Sequence, residues 1–226
     1  MREFGIGITT FNRPDVLEFT LSQFDRFGGD IVIVDDHSDG GCSPRCTRNP
    51  ERLGIAKSKN KCISLLKGCK RIFLFDDDCF PIVPDWWMPF IDGGMHHYVY
   101  ACQPHITIKE IKGLNTYWNG ALGCCMMIDQ DVLQEVGGMD NRFQMWGYEH
   151  AEYSHRIHRA GLIDHSFITP NNVSDLIWSF DAYGSYPDFV WHRQSSISNE
   201  DKLRFAQTNA IVYQQIGASI KYCPYD

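Results

Sequence analysis

Two short runs of this chain are wholly apolar, and both end abruptly in carboxylates. Residues 31–34 (Ile-Val-Ile-Val) lead into Asp35-Asp36-His37-Ser38-Asp39, and residues 72–75 (Ile-Phe-Leu-Phe) lead into Asp76-Asp77-Asp78. Runs that are apolar on both faces read as buried parallel strands. Helical spacing lies between them. Pro14 is placed for a first helical turn, with Val16, Leu17, Phe19, Thr20, Phe24 and Phe27 recurring behind it. Residues 56–66 put Ala56, Lys59, Cys62, Ile63 and Leu66 on one side. With a strand expected over residues 4–10, the order is strand–helix–strand–helix–strand. That order predicts βαβ units and an α/β fold with a mixed, mostly parallel sheet flanked by helices. The acids fall at the C-terminal strand ends, the edge where open α/β sheets bind ligands. A carboxylate cluster contributes nothing to strand formation, so its recurrence at that edge points to function.

Further along, strands are expected over 99–102 and 121–128, a short helix over 129–136 and a longer one over 148–160. An irregular stretch over 170–199 reads as a functional loop, and a closing helix as 201–216. At 226 residues, against a prior of about 150 per domain, one domain is expected. It would divide into two halves, about 1–110 and about 111–226. The ending over 222–226 reads as a piece of a longer chain. The 28 acidic and 21 basic residues leave a net charge of −7. That disfavours non-specific binding to nucleic acid or to an anionic membrane. No apolar run approaches the ~20 residues of a membrane span. Nine cysteines, an odd number at irregular spacings with Cys124 and Cys125 adjacent, predict reduced thiols in a cytosol-like compartment. Cys42 and Cys46 with Cys62 and Cys69 match no paired-cysteine zinc spacing.

Asp76-Asp77-Asp78 offers hard oxygen ligands on a turn, as Mg²⁺ or Mn²⁺ requires beside substrate phosphates. Here the chain resembles the GT-A-fold glycosyltransferases of the family-2 type, from Gly5 to about Gly161 and more weakly to Ser196. Thr9-Thr-Phe-Asn-Arg-Pro14 is similar to that family's opening loop, in which Thr9 and Phe11 would bracket the uracil of a UDP-sugar, with Arg13 beside them. Val32-Ile-Val-Asp-Asp36 resembles its second motif, where Asp36 would bond the base. Leu53-Gly-Ile-Ala-Lys-Ser-Lys-Asn60 resembles its Gly…Ala-Arg-Asn segment, with Lys59 where arginine is common. Phe75-Asp-Asp-Asp78 occupies the Asp-x-Asp position: Asp76 and Asp77 would face ribose and nucleotide, and Asp78 would ligate the metal. Asn119-Gly-Ala-Leu-Gly123 resembles the glycine segment under the donor sugar, through Gly120. Trp146-Gly-Tyr-Glu-His-Ala-Glu152 with Arg156 and Gly161 looks like the acceptor helix. It departs from the family at His150, which replaces the usual aspartate, and at Glu152. Val190-Trp-His-Arg193 would supply His192 to the metal and Arg193 to the diphosphate.

The resemblance implies a metal-dependent, inverting transfer of a sugar from a UDP-sugar to a hydroxyl of a glycan or glycoprotein, with Mn²⁺ or Mg²⁺ as cofactor. Glu149, or else His150, would take the acceptor proton. The small domain and its many cysteines are also similar to glycosyltransferase domains of large DNA viruses such as the chloroviruses, which implies a host cytoplasm. Two other classes compete. A sugar-nucleotide pyrophosphorylase would carry a glycine-rich basic loop after the first strand, and residues 9–15 have no glycine and one arginine. A non-catalytic carbohydrate- or nucleotide-binding domain would have no need to keep Asp36, Asp76 and Asp78 together.

Overall fold

Two glycines in the first strand decide how the first layer packs. The computed structural model describes residues 2–26, 31–41, 45–187, 189–192, 198–219 and 221–225. Strand β1 (Arg2–Thr10) is followed by helix α1 (Pro14–Asp25), β2 (Ile31–Asp35), β3 (Cys46–Arg48), helix α2 (Ile55–Leu66) and β4 (Cys69–Asp76). A Cβ on Gly5 would lie 2.7 Å from Leu66 Cδ2, and one on Gly7 would lie 2.6 Å from Cys62 Cβ. Helix α2 therefore sits directly on the β1 backbone, closer than a side chain would permit. Its register leaves Ser58, Lys59 and Asn60 buried beside Cys62, Ile63 and Leu66. The apolar residues face the sheet, Ser58 and Lys59 meet the strand-end acids Asp36 and Asp76, and Asn60 bonds Met139 and Asn141.

The second half contributes β5 (Cys79–Pro81), α3 (Met88–Asp92), β6 (His97–Val99), β7 (Ile108–Lys112), β8 (Asn115–Trp118) and β9 (Cys125–Asp129). Helices α4 (Gln130–Glu135) and α5 (Glu149–Arg159) follow, then β10 (Ile168–Pro170), β11 (Ile177–Ser179), α6 (Phe180–Tyr183) and α7 (Asn199–Ile216). The main sheet has the order β3-β2-β1-β4-β9-β6. The first four strands are parallel, and β9 runs antiparallel to both β4 and β6. This is the expected mixed, mostly parallel α/β architecture. Trp86, fully buried, centres an aromatic cluster with Phe4, Phe24, Phe73, Phe75 and Phe90 at ring separations of 4.8–6.4 Å.

The structure departs from the sequence expectations in several places. The strand expected from residue 121 begins only at Cys125, because Gly123 takes a φ of +73° and breaks the extended run. The β7–β8 hairpin was not anticipated: every residue of β7 is exposed, so burial imposes no pattern there. The irregular stretch after residue 170 contains β11, which pairs with β5, and α6. Cys46 is disulfide-bonded, whereas Cys62, Cys69, Cys79, Cys102, Cys124, Cys125 and Cys223 are free thiols. The expectation of reduced thiols throughout thus fails at Cys46. A disulfide needs two Cα atoms within about 7 Å, and the fold sets that distance rather than the spacing. Among the described residues, no helix is long and apolar enough to cross a membrane.

Candidate active site

Strand register brings the two acidic clusters to one edge. Thr9 lies opposite Asp76 across β1–β4, and Thr10 lies opposite Asp35 across β1–β2. The two threonines therefore separate the carboxylates. Thr10 Oγ1 donates to Asp77 Oδ2 at 2.6 Å, and Thr20 Oγ1 to the Asp77 carbonyl at 2.6 Å. Thr9 Oγ1 reaches Asp76 Oδ1 at 3.5 Å. Arg13 forks onto the remaining acids, with one guanidinium nitrogen on Asp77 and the other on Asp78 Oδ2 at 2.7 Å. Burial pushes the Asp77 carboxyl up to about 7, against the pull of Arg13. Burial alone would lower the Arg13 pKa, but Asp77 and Asp78 outweigh it and the net direction is upward.

Asp36 is committed to the turn that starts α2. Its carboxylate accepts from Leu53 N at 2.8 Å, Gly54 N at 2.9 Å, Asn49 Nδ2 at 3.0 Å and Ser58 Oγ at 3.1 Å. Four donors on one carboxylate replace the side-chain cap that Gly54, at φ +88°, cannot supply. Asn12 ties the opening loop to the same neighbourhood: its amide N–H donates to Ser38 Oγ, and its side chain pairs with Asp39. The Phe11 ring is covered by the Arg52 guanidinium at 3.9 Å, and Arg52 Nε is buried without a hydrogen bond among the described residues.

Lys59 joins the two halves of the site. Only 1% exposed, its Nζ lies 2.9 Å from Asp76 Oδ1 and donates to the Gly123 carbonyl at 2.9 Å. Burial opposes its charge, but Asp76 and then Glu149 outweigh that penalty and raise its pKa. On the other side of Gly123 stands His150, so close that a Cβ on Gly123 would lie 2.5 Å from the imidazole Cγ. His150 Nδ1 lies 3.3 Å from Glu149 Oε1. Glu149 is buried and its pKa is lowered: burial pushes it up, but His150 and Lys59 more than compensate. Its other oxygen, Oε2, is buried and has no hydrogen-bond partner among the described residues. An unpaired buried carboxylate oxygen is costly.

The remaining expected residues sit as follows. Gly120 is half-buried near Ile106, and no contact links it to the acids; the glycine that meets Lys59 and His150 is Gly123. His192 is exposed. It directly follows Trp191, whose ring stacks on Phe180 at 4.9 Å and 9°, while Phe180 N donates to the Asp78 carbonyl at 3.0 Å. Arg193 lies outside the described residues. Trp86, Tyr117 and Trp118 belong to the core, whereas Trp146 and Tyr148 are each 41% exposed on the loop entering α5. Sequence reasoning did not single out Thr10, Ser58 or Gly123, although each lies inside a segment it quoted, and it missed Arg52, which precedes such a segment.

Of the strand-end acids, Asp78 could offer one oxygen to a hard divalent ion. Its Oδ2 takes Arg13, while its Oδ1 makes no hydrogen bond among the described residues. Another His–Asp group, His96 with Asp129 and Asp131, lies at the opposite end of the sheet, where Asp129 pairs in register with Arg71 and caps α4.

Comparison with known proteins bears on the fold. Residues 103–168 match the model described as the N-terminal domain of galactosyltransferase. An uncharacterized glycosyltransferase of Acanthamoeba polyphaga mimivirus is 26% identical over 167 residues, which is 67% of this chain and 59% of that protein. The chain thus spans under two thirds of that relative's length. Among solved structures, GalNAc-T7 with UDP, GalNAc and Mn²⁺ superposes with a TM-score of 0.61 at 14% identity, covering 95% of this chain and 48% of that one. The mannosyltransferase of Pyrobaculum calidifontis, bound to GDP-Man and Mn²⁺, gives 0.56 at 15% identity over 76% of this chain and 56% of its own. The fold is that of the GT-A glycosyltransferases. A Drosophila β1,4-galactosyltransferase 7 variant with manganese, UDP-Gal and xylobiose shares this GT-A fold at a TM-score of 0.51 and 15% identity, over 90% of this chain and 80% of that one.

Proposed function

We propose that this chain is a hexosyltransferase that moves a sugar from a UDP-sugar to a hydroxyl of a glycan or glycoprotein. The observation that carries the reading is the continuous link Asp76–Lys59–Gly123–His150–Glu149. It sets a strand-end acid cluster suited to a nucleotide diphosphate beside an acid–imidazole pair suited to a hydroxyl. Residues 1–110 form the nucleotide half, with Thr9, Phe11, Arg13, Asp36, Lys59, Asp76 and Asp77 around the donor. Residues 111–226 form the acceptor half, with Gly120 and Gly123 beneath the sugar. Asp78, with His192 following the Trp191–Phe180 stack, would hold Mn²⁺ (or Mg²⁺), which supplies Lewis-acid stabilisation of the departing diphosphate. Arg193 lies in the segment that would meet that diphosphate.

Lowered in pKa, Glu149 is a weak base and a good partner for an imidazole N–H. With Nδ1 turned to Glu149, the free nitrogen of His150 is Nε2, which takes the acceptor proton as the hydroxyl oxygen bonds to the sugar C1. The C1–O bond to UDP breaks on the opposite side, so the configuration inverts. Displacing water as the Trp191 segment closes over the nucleotide favours transfer over hydrolysis.

The test is calorimetric titration of UDP with Mn²⁺ and with EDTA, on the native protein and on Asp78→Asn, followed by a donor screen starting with UDP-galactose. Binding that needs both Mn²⁺ and Asp78 is expected; metal-independent binding, or none, overturns the reading. His150→Gln should then lower kcat by about 10²–10⁴-fold while leaving UDP affinity unchanged.

A further inference from the structure

Helix α7 buries little of itself. Of the side chains described in this 18-residue helix, only Asn209 and Ile216 are buried. A helix held to a domain by packing alone would spend its central buried position on an apolar residue. Here that position is an amide at 0% exposure, and its whole hydrogen-bonding capacity goes to one loop. Asn209 Oδ1 accepts from Gln144 N at 2.9 Å, and Nδ2 is shared among the carbonyls of Gln144 at 2.7 Å, Trp146 at 2.9 Å and Gly147 at 2.9 Å.

The loop it grips is conformationally expensive. Met145, Gly147 and Tyr148 have φ of +29°, +104° and +70°, a region that side chains other than glycine enter only at a cost. Its other face is fastened to the nucleotide half. The Met145 carbonyl accepts from Ile55 N at 3.2 Å, and its backbone lies against Gly54, the glycine whose N–H is held by Asp36. The loop ends at Tyr148, the residue before Glu149 and His150, and Tyr148 caps α5 without a side-chain hydrogen bond. The approach of Glu149 and His150 to the donor is therefore set by a strained loop clamped from two sides.

We propose that Asn209 is a positioning residue for the reaction: it holds residues 144–147 so that Glu149 and His150 face the donor bound at the strand ends. The role rests on the transferase reading above. Its test compares the native protein with Asn209→Ala in two measurements, calorimetry of UDP with Mn²⁺ and turnover of whichever UDP-hexose the native protein hydrolyses. Asn209→Ala is expected to bind UDP with unchanged affinity and unchanged stoichiometry, while kcat falls by about tenfold or more. A purely structural role would lower stoichiometry and rate together, and that outcome, or an unchanged kcat, overturns the proposal. If Asn209→Ala does not fold, Gly147→Ala carries the test, because it strains the same loop and leaves α7 intact. The added Cβ meets only Ala206 Cα at 3.8 Å, and the same split between binding and turnover is expected. Failure of the native protein to bind UDP would instead remove the transferase reading, and the positioning role with it.

Discussion

A buried neutral imidazole ties stability to pH in one direction. His97 is 1% exposed; its Nδ1 donates to the Met127 carbonyl at 2.9 Å, which leaves Nε2 to accept from Ser154 Oγ at 2.8 Å. Burial lowers its pKa from 6.5 to about 4. The unfolded chain binds a proton as pH falls below 6.5 and the native state does not until about 4. Stability is thus complete above 6.5 and drains away between those values. The His97 share of the loss is about 2 kcal/mol between about pH 7.5 and pH 5, read as the difference in the pH dependence of urea midpoints between the native protein and His97→Gln. His97→Gln should remove that contribution; His155 and His165, whose pKa values burial also lowers, act in the same direction, while the raised Asp77 carboxyl acts in the opposite one over the same range. Lys59 has the opposite character, a buried charge that must stay paired. Lys59→Met strips the cation from Asp76 and Glu149 and should cost about 3–5 kcal/mol in denaturant titration. Its placement on the buried side of a helix was visible in the sequence. Its reach into the second half of the chain was not, because Gly123 and Glu149 lie 64 and 90 positions away.

Among the elements, α2 and β1 show how far periodicity carries. The apolar strands and the helices after Pro14 and Gly54 were legible because burial on both faces, or on one, imposes a pattern on every residue. The β7–β8 hairpin was not, since an exposed edge strand places no such demand. Nor was the close approach of α2 to β1, which depends on what is missing at Gly5 and Gly7. Gly7→Ala would set a methyl 2.6 Å from Cys62 Cβ and 3.1 Å from Leu74 Cδ2. Helix and sheet must then separate, at a cost of about 1–3 kcal/mol. A drop in urea midpoint with an unchanged m-value is the expected result. UDP affinity should weaken with it, because Asp36 grips the first turn of the same helix.

At the scale of the molecule, the strand-end acids were the readable part of the proposed site. Carboxylates after apolar strands announce themselves, whereas the surroundings of Glu149 and His150 are assembled from turns. Gly123 matters only because His150 lies against it, and Asn209 only because the loop over 144–147 folds back on it. The far end of the chain is tied in just as locally. Cys223 N donates to the Val136 carbonyl at 3.0 Å, the Cys223 carbonyl accepts from Gly138 N at 2.8 Å, and Arg156 reaches the Lys221 carbonyl at 3.4 Å. Ending the chain after Ser219 should cost about 2 kcal/mol and lower Tm, while UDP binding with Mn²⁺ is retained. The Lys59 hydrogen bond to the Gly123 carbonyl has a consequence of another kind. It crosses from the half of the chain that would hold the nucleotide to the half that would hold the acceptor. Chimeras that graft the acceptor half of a relative onto this donor half therefore exchange one wall of a shared charge. Position 59 must travel with residues 123 and 149 as a single heritable block, and a library of such hybrids should yield active members only where that block comes from one parent.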